Sequence, residues 1–249
     1  MTQAIGIIPA RYASTRLPGK MLRDLCGKPL IQRVYEQVKK SELLMDVIVA
    51  TDSNDIKQAI EAIGGHAELT SENFASGTDR IATVARKLDS DIIVNIQGDE
   101  PFIAPEDIDK ATRLVLDNDQ AVVGTLMKKI QTVEELQNPN IVKVIVNQNY
   151  QAIYFSRHPI PYARDARDDE AWLNCTTYFK HIGIYAYRKP FLLDYANWEP
   201  SALEKAEKLE QLRVLEHGFS IHVAETKNEP IGIDTEEDLQ AAIKRIQNS

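Results

Sequence analysis

Along the first half of the chain, apolar residues come in short unbroken runs separated by stretches of helical spacing. Ala4–Pro9 is one such run, closed by a proline and followed by a polar, basic segment, the pattern of a buried parallel strand that feeds a loop. From Pro29 to Lys40, Leu30, Ile31, Val34 and Val38 recur at helical intervals, and Pro29 stands near the first turn, where a missing N–H costs nothing. Val47–Ala50 predicts a second strand, Asp55–Ile63 a helix stopped by Gly64-Gly65, and Ile92–Ile96 a further strand after another helical stretch. Strands continuous in Val and Ile that alternate with helices predict a parallel sheet covered on both faces, with ligands at the carboxyl ends of its strands. Ala10–Lys20 and Gln97–Pro101 both follow strands at that edge.

The second half changes period. Val142–Val146 and Ala152–Phe155, separated by Asn147–Tyr150, predict a hairpin, and Ile182–Tyr187 predicts one more strand, so antiparallel additions to the parallel sheet are expected. Pro159–Trp172 mixes prolines, arginines and aspartates without a period and is expected to be an exposed excursion. The whole chain, 1–249, is expected to be one domain in three parts: an α/β half at 1–128, an antiparallel part at 129–190, and C-terminal helices at 191–249.

Composition leaves this picture standing and narrows the function. The chain has 249 residues, 43% hydrophobic and 27% charged, which is ordinary for a folded globular protein. Its net charge of −8 argues against nucleic acid as a partner, although a local cluster of Arg and Lys can still hold a triphosphate or an acidic sugar. Cys26 and Cys175 stand far apart, without the spacing of a zinc site, which fits a reduced cytoplasm. The first residues turn polar and charged too soon for a signal peptide, and no run of about 18 apolar residues predicts a membrane span.

Candidate chemistry begins in the segment Ile8–Lys20, IPARYASTRLPGK. Arg11, Arg16 and Lys20, with Ser14 and Gly19, sit after a strand and before a helix, where charge-assisted bonds and free backbone N–H groups can surround a triphosphate. The Gly-xxxx-Gly-Lys-Ser/Thr spacing of a P-loop is absent, and a solvated loop paired to surface acids is the alternative. Asp99 follows the buried run IIVNIQ, so its carboxylate should emerge at the ligand edge, either as a hard ligand for Mg²⁺ or as an Asx turn or helix cap. Asp234 or Thr235 could simply cap the last helix. Glu210 and Gln211 lie beside Leu209, Leu212 and Leu215, a spacing that would put them on a helix's solvent face.

The string IIPARYASTRLPGK resembles the N-terminal signature of the 3-deoxy-manno-octulosonate (Kdo) cytidylyltransferases. ASGTDR (Ala75–Arg80), NIQGDEP (Asn95–Pro101), YFSR (Tyr154–Arg157), KHIGIYAYR (Lys180–Arg188), LEQLRVLEHG (Leu209–Gly218) and GIDTEEDL (Gly232–Leu239) are similar to that family's further blocks, in order. The resemblance implies a sugar-nucleotidyltransferase-like, Rossmann-like α/β fold, with helices on both faces of a mostly parallel sheet and an antiparallel dimerisation and substrate extension. It implies transfer of CMP from CTP to the anomeric 2-hydroxyl of Kdo, for the lipopolysaccharide inner core of a cytoplasmic pathway, by a homodimer. By the same resemblance Arg11, Ser14, Arg16, Lys20, Ser76, Gly77, Thr78 and Arg80 contact the nucleotide. Asp99 and Asp234 hold Mg²⁺ and act with Lys20 in catalysis, while Gln97, Arg157, His181, Tyr185, Glu210 and Gln211 meet the sugar. Lys180 stands where many relatives carry Arg, and His158-Pro159 follows the YFSR block where many carry small or β-branched residues, which leaves the sugar's distal contacts open. Gly98-Asp99-Glu100 lacks the Asp-x-Asp expected of a glycosyltransferase on a related fold.

Overall fold

A computed structural model describes residues 3–72, 74 and 76–248; Ala75, which opens one of the motif blocks, lies outside them. In chain order the first half runs β1 (Ala4–Ala10), α1 (Leu30–Val38), β2 (Leu44–Thr51), α2 (Asn54–Glu61), β3 (His66–Leu69), α3 (Gly77–Ala85), β4 (Ile92–Asn95), α4 (Pro105–Leu116) and β5 (Val123–Lys129). The second half continues with α5 (Val133–Gln137), β6 (Lys143–Val146), β7 (Ala152–Ser156), α6 (Asp169–Cys175), β8 (Phe179–Arg188), α7 (Lys189–Tyr195), α8 (Ala202–Glu207), α9 (Gln211–Glu216), β9 (Ile221–Glu225) and α10 (Glu236–Gln247).

The main sheet has the order β3-β2-β1-β4-β8-β5-β9. Strands β3, β2, β1 and β4 are mutually parallel, as their unbroken apolar runs predict. Alternate residues of β1 serve opposite layers: Ala4, Ile8 and Ala10 pack with α1, α4 and α10, whereas Ile5 and Ile7 pack with α3, α7 and α9. β6 and β7 form the expected hairpin, and β6 also pairs antiparallel with β8.

β8 is an antiparallel addition, as expected, and runs between β4 and β5, inside the sheet. Two expectations need correction. The C-terminal part is not helical throughout, because β9 pairs parallel with β5. The excursion after Pro159 is exposed over much of 161–168 but gains a helix, α6, whose Trp172 and Leu173 pack against Ile130, Leu136 and Tyr178. That small apolar cluster supplies the burial the segment's own sequence lacks. The sheet therefore threads all three proposed parts of the chain into one layer.

Candidate active site

β1 ends at the sheet's carboxyl edge, and the chain beyond it must turn sharply to reach α1. Gly19 takes a left-handed conformation at φ 64°, which a side chain would resist, and a 3-10 turn follows at Lys20–Leu22. The turn folds Lys20 inward until only 7% of the residue is exposed. Its ammonium lies 2.7 Å from Asp99 Oδ2 and 3.0 Å from Asp234 Oδ1. Burial works against the Lys20 charge, but the two carboxylates more than offset it and hold its pKa above the ordinary lysine value of 10.5. Arg16 reaches the same Asp234 oxygen at 3.1 Å from the solvent side.

Asp99 is delivered by the turn after β4. At Gly98 a Cβ would come within 3.0 Å of the Pro9 carbonyl oxygen, so the absence of a side chain lets this turn pack against β1. The Asp99 carbonyl in turn accepts from Ile233 N at 2.9 Å, tying the segment before α10 to the β4 turn. Thr235, not Asp234, caps α10, in a capping box with Asp238. Asp234 is thus free to face Lys20.

These groups line a cavity of about 550 Å³. Arg11, Ser14, Gly77, Thr78, Gln97, Tyr185, Glu210 and Gln211 line it as well, so most of the residues singled out from the sequence converge there. Ser76 stands just behind the wall, as N-cap of α3 with its hydroxyl accepting from Asp79 N. Arg80 borders the cavity but is 1% exposed, its guanidinium bound to Asp52 at 2.9 Å and to Thr70. Asp52 also accepts from Tyr12 N at 2.9 Å, so Arg80 anchors the basic loop through that carboxylate.

Gln211 is 7% exposed and Glu210 is half-buried, which overturns the solvent-face reading of α9. The cause is Arg213, which forks onto Glu204 with contacts of 2.7 and 2.8 Å, donates to the Trp198 carbonyl and covers the Tyr195 ring. That buried pair turns the start of α9 toward the sheet. Glu210 then accepts from Thr78 Oγ1 at 2.6 Å, and burial, partly opposed by that bond, raises its pKa above the ordinary carboxylate value. The contact joins the segment opening α3 to the segment opening α9 across the cavity.

Two expected ligands stand elsewhere. Arg157 spends its guanidinium on backbone carbonyls, donating to Glu207 at 2.7 Å, Pro139 at 3.0 Å and Lys208 at 3.4 Å, so its fork is not open to a carboxylate. His181 does not border the cavity; its ring is enclosed by Phe155, Tyr185 and Thr125. Thr125 Oγ1 donates to the Ile184 carbonyl at 2.7 Å, so His181 Nε2, 2.9 Å from that oxygen, acts as the donor between them. Burial of the ring pushes its pKa down to about 3 and so disfavours the protonated imidazole. The sign of the linkage follows. Below the ordinary value of 6.5 the unfolded chain takes up a proton that the folded chain refuses until about 3, so stability falls as pH drops through that window. Melting of His181→Phe is expected to depend less steeply on pH than melting of the native chain between about pH 6.5 and 4.

Sequence reasoning missed Asn95, Tyr187, Tyr195 and Lys208, all of which line the cavity. Tyr187 repeats the period of Tyr185 along β8, and a polar Asn closing the apolar run IIVN was a signal for the first. Nothing in the local pattern marks Tyr195 or Lys208.

A buried cation between two carboxylates, at the carboxyl edge of a doubly covered parallel sheet, is the arrangement of an α/β enzyme that handles nucleotide phosphates. The cytidylyltransferase family model matches residues 5–226. The 3-deoxy-manno-octulosonate cytidylyltransferase of Geotalea uraniireducens (strain Rf4) is 50% identical over 248 residues, covering 97% of this chain and 98% of its own. Its counterpart in Francisella tularensis subsp. novicida (strain U112) is 50% identical over 246 residues, covering 97% of each chain. A solved structure described as CMP:2-keto-3-deoxy-manno-octonic acid synthetase complexed with CTP superposes with a TM-score of 0.92, at 41% identity and 99% coverage of both chains. The chain belongs to the cytidylyltransferases, and within them to the 3-deoxy-manno-octulosonate cytidylyltransferase family.

Proposed function

We propose that the protein transfers CMP from CTP to the anomeric 2-hydroxyl of Kdo, releasing diphosphate and supplying lipopolysaccharide synthesis. The observation that supports this most is the junction of Lys20, Asp99 and Asp234 in a cavity that Tyr185, Glu210 and Gln211 also line. The cavity offers cations to a polyphosphate and hydroxyl, carboxylate and amide groups to a polyol.

Attack of the sugar hydroxyl on the α-phosphorus expels diphosphate, and the rate depends on placement and on neutralising charge. Lys20, charged and fixed by two carboxylates, stabilises negative charge on the phosphates without reorganising. Arg16 and Arg11, on the exposed part of the loop, add charge-assisted bonds to the leaving group. Glu210, held by Thr78, and Gln211 orient the sugar.

Asp99 and Asp234 are the residues to hold Mg²⁺. Two carboxylates already converge on a single cationic atom, and among the described residues no third His, Cys, Asp or Glu joins them. That donor set fits an ion that takes one or two carboxylates and completes its shell with waters and substrate phosphates. When bound, Mg²⁺ supplies Lewis-acid polarisation of the phosphate and lowers the pKa of the attacking hydroxyl.

A homodimer formed through the second-half strands and a cytoplasmic location belong to the same proposal. No helix among the described residues is long and apolar enough to cross a membrane.

The assay is diphosphate release from CTP and Mg²⁺ with a panel of 2-keto sugar acids. Kdo is expected to give the highest kcat/KM. Turnover with a neuraminate or an amino-substituted octulosonate, and none with Kdo, would reject the substrate.

A further inference from the structure

Asn95 closes β4 on a face that the strand otherwise commits to the core. Two residues earlier Ile93 points the same way and belongs to the apolar layer that holds Tyr187 and Leu212. An apolar residue would continue that layer, yet an amide stands there, 5% exposed. Its Oδ1 is sealed from solvent and has no hydrogen-bond partner among the described residues, and the residue lines the cavity. A buried amide left unpaired costs stability, and the cavity beside it is where a partner can arrive.

The register of the sheet places Asn95 between β1 and β8. Its backbone stands opposite Ile7 on β1 and Tyr185 on β8. The loop after β1 holds the phosphate-binding cations, and Gly77–Arg80 opens α3 beside Pro9. On its other side Asn95 faces β8, whose Tyr185 lines the same cavity. An amide both donates and accepts, and half a turn about its Cβ–Cγ bond exchanges the two ends. Such a group matches a hydroxyl, which does the same, better than a carboxylate or phosphate, which only accepts.

We propose that Asn95 is a specificity-determining residue of the sugar subsite, its amide hydrogen-bonding a hydroxyl of the 2-keto sugar acid. The proposal rests on the Kdo reading above. A site built around such a contact rejects an analogue that lacks the hydroxyl, because the buried amide then goes unpaired again.

The test is steady-state kinetics on the full chain, varying Kdo at saturating CTP and CTP at saturating Kdo, for wild type, Asn95→Leu and Asn95→Ser. The KM for Kdo is expected to rise at least about 10-fold in both variants, while the KM for CTP stays within about twofold. Without substrates, Asn95→Leu should melt no lower than wild type, since it removes an unpaired polar group from an apolar layer. Among sugars lacking one hydroxyl each, the analogue missing Asn95's partner should lose about 10- to 100-fold in kcat/KM on wild type and nothing further on Asn95→Leu. An unchanged KM for Kdo in an active variant, or equal rises in both KM values, overturns the role. If Asn95→Leu does not fold, Asn95→Ser alone decides by the same readings. The two failures are separable: wild type inert with Kdo rejects the substrate and this role with it, whereas active wild type with unchanged variants rejects Asn95 alone.

Discussion

Asp99→Asn is expected to lower kcat for diphosphate release by more than about 100-fold while leaving the fold in place. The substitution keeps the side chain's size and one oxygen but removes the negative charge that faces Lys20 at 2.7 Å and that would help hold a divalent cation. The backbone bond from Ile233 N to the Asp99 carbonyl does not depend on the side chain, so the link between the β4 turn and the segment before α10 survives. Lys20 keeps Asp234 at 3.0 Å and is not left as an unpaired buried charge, so the stability cost stays small. Rate measurements paired with thermal melting check both halves. A variant that turns over at the wild-type rate contradicts the role given to Asp99.

Lys20→Met is the second large effect, with kcat/KM for CTP expected to fall by about 100- to 1000-fold. Methionine fills much the same space, so the loss reports the charge rather than a cavity. Lys20 is the buried member of the loop's cations, whereas Arg16 is largely exposed and would be screened by water and salt. A buried charge held in place by carboxylates is worth more to a developing phosphate charge than one free in solvent. Lys20→Arg should not restore the rate, because a planar guanidinium does not occupy the point between Asp99 Oδ2 and Asp234 Oδ1 that an ammonium does. Full activity in Lys20→Arg would show that only net charge matters there.

Much of the architecture was legible because burial writes directly into the sequence. β1, β4 and the second half of β2 are enclosed on both faces and so read as apolar runs rich in Ile or Val, and the hairpin of β6 and β7 announces itself by the polar turn between two apolar runs. Strand neighbours are not written that way. The period of β8 says that it is a strand, but its place between β4 and β5 depends on pairings with residues far along the chain. α6 was missed for a related reason: its apolar residues pack against Ile130 and Leu136 from another segment, and no local period reports that.

The site shows the same division. The basic loop could be placed at the ligand edge from a strand, a glycine and a helix alone. The meeting of Asp99 with Asp234 could not, since nothing local distinguishes Asp234 from a helix cap until Thr235 is seen to take that task. Arg157 and His181 are suited by type to a sugar acid, yet carbonyl oxygens occupy the guanidinium and burial disfavours the protonated imidazole. Conversely, Gln211 looked like solvent-facing polarity and is buried, because the Arg213–Glu204 pair re-aims the start of α9.

The most direct measurement of the central claim is phosphorus NMR of CTP incubated with the protein, Kdo and Mg²⁺. The account predicts that the triphosphate signals are replaced by one phosphodiester signal of a CMP-linked sugar and by diphosphate in equal amount, only when Kdo is present. Release of CMP or inorganic phosphate without the phosphodiester, or CTP left intact beside Kdo, would contradict it.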